Sequence, residues 1–237
     1  AVIMLPIHIP WGNPLDPETP KYYGGLVIAE NSTFRNNYRA VAFMKYDIED
    51  KSSFTDCTFE NHTETATHWS NYGVRYDHNT FVNSAKHSIY TYDASIEVVN
   101  GNQFDNTNHS QYDQAGIDLF YTYSNIRPTI IGSSSTLPNE FIGGYHGIYI
   151  ESGATVQPNV IENNIFIGGN YGLWVGGLSN FDIRNNDFIG QFTGSIVTAT
   201  GDYDNLHREN NFSSCSVGIF ASFDNTRYRF LLNCFDY

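Results

Sequence analysis

One phrase recurs along this chain at a nearly constant interval, and that interval constrains the fold more than any other feature. "ENNIFIGGNYGLWVGG" (Glu162 to Gly177) is answered 22 residues later by "RNNDFIGQFTGSIV" (Arg184 to Val197). Aligned on Phe34, Phe59, Phe81, Phe104, Phe141, Phe166, Phe188, Phe212 and Phe235, the spacings are 25, 22, 23, 37, 25, 22, 24 and 23. Two residues before each Phe stand Ser32, Cys57, Asn79, Asn102, Asn139, Asn164, Asn186, Asn210 and Asn233. Two residues after it stand Asn36, Asn61, Asn83 and Asn106, then Gly143, Gly168, Gly190 and Ser214. Asn and Gly both tolerate the left-handed backbone of a tight turn.

A period near 23 with short apolar runs and no helical periodicity predicts an all-β solenoid. Leucine-rich repeats share the period but require a Leu-x-x-Leu-x-Leu phrase, and ankyrin or tetratricopeptide repeats require helices; neither is legible. The expectation is a right-handed parallel β-helix of about nine rungs over residues 22–237, handedness following the general rule for parallel crossovers. Equivalent residues of successive rungs then lie one strand spacing apart, ~4.8 Å. Phe becomes an internal stacked column, and Asn amides hydrogen-bond along the axis.

Residues 1–21 hold five of the eight prolines and read as a lead-in segment or partial cap. The rung from Phe104 to Phe141 is about 14 residues too long. Its surplus falls in Thr107–Gly116 and Arg127–Pro138, which are expected to wall a groove near Tyr112, Asp113, Tyr121 and Tyr123. The last Phe opens a rung that the sequence does not complete, so exposed strand edges are expected there, with end-to-end or lateral self-association as one outcome and a longer native chain as the other.

The formal net charge is −13, with 12 Lys and Arg against 25 Asp and Glu. Such a surface argues against nucleic acid and anionic membranes as partners. No apolar run reaches the ~20 residues that span a bilayer, so membrane insertion is not expected. Cys57, Cys215 and Cys234 lack metal-ligand spacing and read as free thiols.

The phrases "YRAVAFMKYD", "SSFTDCTF", "YGVRYDHNTF" and "NTRYRFLLNCFDY" resemble surface-exported, right-handed parallel β-helix proteins of the Bacteroidota. More broadly, the coil is similar to pectate-lyase-like proteins. The resemblance covers roughly residues 22–237 and implies an extracellular or cell-surface location and export by the type IX secretion route, without implying an activity. The sorting domain typical of that route is missing from this sequence.

The residues themselves point weakly to chemistry. A related lyase would need a basic residue and Ca²⁺ carboxylates, but no acidic triplet marks a Ca²⁺ site and no cofactor is expected. Arg39, Glu64 and Lys86, each five residues after a Phe, are expected to stack as a charge ladder, with His109 and His146 further along. Asp113 and Asp118 form a candidate carboxylate pair beside the long loops. Alternation within the strands turns Tyr90, Tyr149, Trp174 and Phe220 outward as an aromatic stripe. Flat aromatic faces suit sugar rings and interfaces. Two readings stand: a non-catalytic adhesive, glycan-binding or filament-forming β-helix with a polysaccharide or another surface macromolecule as partner, and a carbohydrate-active enzyme, either a polysaccharide lyase or a glycoside hydrolase, acting beside the long rung.

Overall fold

A computed structural model describes residues 2–4, 27–43, 51–69, 73–109, 111–120, 128–133, 135–151 and 157–237, the side chains of 2–4 aside. The described secondary structure is strand alone, arranged as three nine-stranded sheets that run the length of the coil. Every pairing is parallel, and each strand pairs with the strand one rung away. This is the parallel β-helix that the repeat predicts.

Each rung visits the sheets in the same order. A short strand such as Phe181–Arg184 leads to an Asn-x-Phe strand such as Asp187–Ile189, then to a longer strand such as Thr193–Thr198. We call these the second, Phe and long-strand sheets. Val2–Met4 joins the long-strand sheet beside Arg39–Phe43, which gives part of the expected lead-in segment a sheet role. Residues 5–26 lie outside the described residues.

The Phe column forms as expected. Phe34↔Phe59↔Phe81↔Phe104↔Phe141↔Phe166↔Phe188↔Phe212↔Phe235 are register partners with ring centroids 4.7–5.1 Å apart. Seven are buried; Phe34 is half-buried and Phe235 is exposed, because they belong to the first and last described rungs. The 37-residue rung keeps Phe104 and Phe141 at 4.7 Å, so the surplus chain leaves the coil at corners and the stack is undisturbed.

The Asn column is a hydrogen-bonded ladder. From Asn79 through Asn102, Asn139, Asn164, Asn186 and Asn210, each Nδ2 donates to the Oδ1 of the next at 2.9–3.1 Å, ending on Asn233. Most rungs add a backbone N–H to the same acceptor. The turn column after the Phe has positive φ at Asn36, Asn61, Asn83, Gly143, Gly168, Gly190 and Ser214. Asn106 departs from it, because there the chain leaves for the inserted loop. A second left-handed corner, three residues before eight of the nine Phe, is filled by Asn31, Asp56, His78, Gly101, Asn163, Asn185, Glu209 and Leu232; before Phe141 the place falls to Pro138, in the second insertion. The doubled Asn of the opening phrase thus has two duties: Asn163 and Asn185 turn the chain, and Asn164 and Asn186 build the ladder.

Cys57, Cys215 and Cys234 are free. The charge ladder needs correction. Arg39 is paired with Glu64 at 2.6 Å. The register that sets Ala66 beside Ile89 brings His87, and not Lys86, to the place above Glu64. The strand enters one residue later after Phe81 than after Phe59, so counting from Phe misplaces it by one.

Candidate functional site

On the outer face of the long-strand sheet, two side-chain columns run side by side. One reads His87, Ala115, His146, Tyr171, Thr193. The other reads Tyr90, Asp118, Tyr149, Trp174, Ile196, Phe220. The four aromatics expected to form a stripe therefore do share one column, interrupted by Asp118 and Ile196. Phe220 stands at its far end, 52% exposed.

A cleft of about 240 Å³ opens on this face, lined by His87, Ala115, His146, Asp118, Tyr149 and Trp174, with Tyr112 and Asp113 from the inserted loop. Ala115 makes the floor. It stands between His87 and His146 in the column, so a methyl occupies the place that an imidazole takes on either side. The loop is anchored by Gln114, a fully buried side chain. Its Nε2 donates to the Ser84 carbonyl, and its Oε1 accepts from Tyr145 N–H. Tyr112 then leans on Tyr145, ring centroids 5.2 Å apart, and Tyr145 on Tyr171 at the same distance.

Burial sets the electrostatics of the cleft. It pushes Asp118 up to about 7, with the charge of Glu151 adding to the effect. It pulls His87 down to about 4 against the opposing charges of Glu64 and Asp113. It pulls His146 down to about 4 against the Gln114 carbonyl. Tyr149 is raised by burial and then by Glu151, whose carboxylate accepts from its hydroxyl at 3.3 Å. His87 Nδ1 and Asp118 Oδ2 are 3.5 Å apart, a distance that invites the term ion pair. The environment argues otherwise, since between about pH 4 and about pH 7 it favours the neutral form of both groups. Nδ1 also has no hydrogen-bond partner, and neither has Nε2 of His146, a residue only 6% exposed. Two buried ring nitrogens thus go unsatisfied beside the cleft, which is uncommon in folded proteins.

The cleft gathers Tyr112, Asp113, Asp118, Tyr149 and Trp174 from the expected site residues. Tyr90 lies one strand along the same column. Tyr121 and Tyr123 lie outside the described residues, as does Arg127. The single groove expected of both insertions rests in part on Tyr121, Tyr123 and Arg127, outside the described residues; among the described ones the two insertions line separate depressions. Ser135 and Pro138 of the second insertion line a separate depression with Asn163, Asn164 and Asn185. The reason is topological: the first insertion leads into a long-strand-sheet strand and the second into a Phe-sheet strand, on different faces of the coil.

Sequence reasoning missed His87 and the pairing of the two imidazoles. The signal was present: "HSIY" (His87–Tyr90) and "HGIY" (His146–Tyr149) are one phrase two rungs apart, with "AGID" (Ala115–Asp118) between them.

Among the described residues, no group of three or more His, Cys, Asp or Glu side chains is arranged to hold a metal ion. With Ala115 between them, the backbones of His87 and His146 are two strand spacings apart, ~9.6 Å.

No curated protein and no solved structure matches this chain. Residues 108–236 match the family model described as "Periplasmic copper-binding protein (NosD)". That stretch is more than half of the 237 residues and contains every cleft residue except His87, and on this match the chain belongs to the NosD family.

Proposed function

We propose that this chain is an extracytoplasmic β-helix that binds uncharged carbohydrate on the outer face of its long-strand sheet, serving as an adhesive or glycan-reading surface. The observation that carries the reading is the cleft between His87 and His146. It sets two histidines with unsatisfied buried ring nitrogens and a protonatable carboxyl beside the rings of Tyr149 and Trp174. Hydroxyl groups both donate and accept, which suits a polar lining of this kind, while C–H faces stack on the aromatics. A polyuronate fits poorly against a chain of net charge −13. The family's description supports a place outside the cytoplasm. No helix among the described residues is long and apolar enough to cross a membrane. The same description names copper, a metal that favours imidazole. Copper is left out of this reading because, among the described residues, no group of three or more His, Cys, Asp or Glu side chains is arranged to hold a metal ion.

The test is calorimetric titration of the protein with neutral cello-, xylo-, manno-, galacto- and chito-oligosaccharides. Binding to at least one class is expected, with Trp174→Ala weakening it at least about tenfold and leaving the melting temperature nearly unchanged. Equal binding by wild type and Trp174→Ala would count against the cleft.

A second reading, end-to-end association with another copy, is favoured by the last described rung. Phe230, Leu232 and Phe235 are 42%, 83% and 55% exposed around a depression shared with Ile219 and Asn233. Open strand edges and uncovered apolar columns are templates for a further rung. Sedimentation should show concentration-dependent mass, abolished by Leu232→Lys; a monomer at all concentrations would remove this reading.

A further inference from the structure

We propose that the cleft hydrolyses the neutral glycoside it holds, with Asp118 as the acid that protonates the departing oxygen and Asp113 as the base that takes a proton from water. The proposal rests on the carbohydrate-binding reading and adds an activity to it. Its geometric basis is that two aspartates line one cavity from different elements: Asp118 belongs to the sheet strand Ala115–Phe120, and Asp113 to the turn of the inserted loop.

The environments of the two differ in the sense that acid–base chemistry requires. The Asp118 side chain is only 14% exposed, with His87 Nδ1 as its near neighbour. Burial, with the Glu151 charge behind it, keeps Asp118 protonated up to about 7. Asp113 is exposed on the loop. The groups that face Asp118 are His87 and Tyr90 on the preceding strand, Tyr149 and Glu151 on the following strand, and Asp113 on the inserted loop. His146 gives an independent sign of a polar site: it lines the cavity, and its buried Nε2 has no hydrogen-bond partner.

The chemistry balances with water as the co-reactant. The bond between the anomeric carbon and the glycosidic oxygen breaks, its electron pair going to the oxygen, which takes the proton of Asp118. Water forms the new bond to the anomeric carbon and gives its proton to Asp113. Exchange with solvent then returns Asp118 to the acid and Asp113 to the carboxylate. Positioned acid–base groups of this kind contribute ~10²–10⁴-fold each.

The experiment incubates the whole chain with the same oligosaccharide panel in oxygen-18 water and follows products by mass spectrometry. Cleavage with one heavy oxygen at each new reducing end is expected, falling off as the pH rises above about 7. Asp118→Asn should lower kcat ~10²–10⁴-fold on the oligosaccharide. On the dinitrophenyl glycoside of the same sugar the loss should shrink below about tenfold, because that leaving group departs without a proton. Asp113→Asn should lower kcat on both. Calorimetric binding with no heavy-oxygen incorporation overturns the hydrolysis and leaves the binding reading intact. Equal losses for Asp118→Asn on both leaving groups overturn its role as the acid. No binding to any member of the panel removes both proposals.

Discussion

Asn186 shows how much one side chain does in a stacked coil. Its Oδ1 accepts from both the N–H and the Nδ2 of Asn164, and its own Nδ2 donates to the Ile161 carbonyl. Truncation strips partners from several buried groups at once, each costing ~1–3 kcal/mol. Asn186→Ala should therefore destabilise the protein by about 3–5 kcal/mol in urea unfolding. Its neighbour Asn185 sits at φ 54°, and Asn185→Gly should cost almost nothing because glycine accepts that conformation freely. Similar losses for the two would mean that the ladder contributes little. The Asn and Phe columns were legible in the sequence because each repeats at one position. The second left-handed corner was not, since Asn, Asp, His, Gly, Glu and Leu all occupy it. Only the backbone makes those residues equivalent.

At the scale of the strand, the glycine that precedes the apolar residues of the long-strand sheet is explained by space. Gly116, Gly147, Gly172, Gly194 and Gly218 form a column beside the Phe rings. A Cβ on Gly172 would lie 2.6 Å from the Phe188 ring and 2.7 Å from the Gly194 carbonyl. Neither can retreat without disturbing the stack. Gly172→Ala should therefore destabilise by at least about 1–3 kcal/mol, the usual cost of overpacking. An unchanged urea midpoint would show that the rings have room to shift. The same strands show why the cleft was only half legible. Aromatic residues announce an outward column through alternation. The companion column of His87, Ala115 and His146 depends on a one-residue slip in strand entry, which no count from the Phe reveals.

Across the whole molecule, stability should depend on pH through its buried histidines. His207 interrupts an otherwise apolar inward column between Ile183 and Phe230 and is fully buried. Burial pulls it down to about 4, against Asn233 Oδ1, and His87 and His146 are pulled equally low. Their unfolded values lie near 6.5. Between those limits the unfolded chain binds protons that the folded chain refuses, so acidification from about 6.5 toward 4 removes stability. For His207 alone the full loss is on the order of 3 kcal/mol. Asp118 acts in the opposite sense. Its folded value is raised from 3.8 to about 7, so its contribution is complete below 3.8 and fades as the pH rises through 7. Three groups outweigh one, and the melting temperature should be lower at pH 5 than at pH 7, with a shallower difference in His207→Leu. A higher melting temperature at pH 5 would contradict the balance.

The amide ladder also gives the coil a direction. From Asn79 to Asn210 every side-chain amide hands its hydrogen to the following rung and none hands it back. The ladder is therefore polar along its own length: at one end Asn79 receives a hydrogen from the Cys57 N–H, and at the other the Asn233 amide gives one to the His207 carbonyl. Each rung thus polarises the next in one sense, as in a file of compass needles.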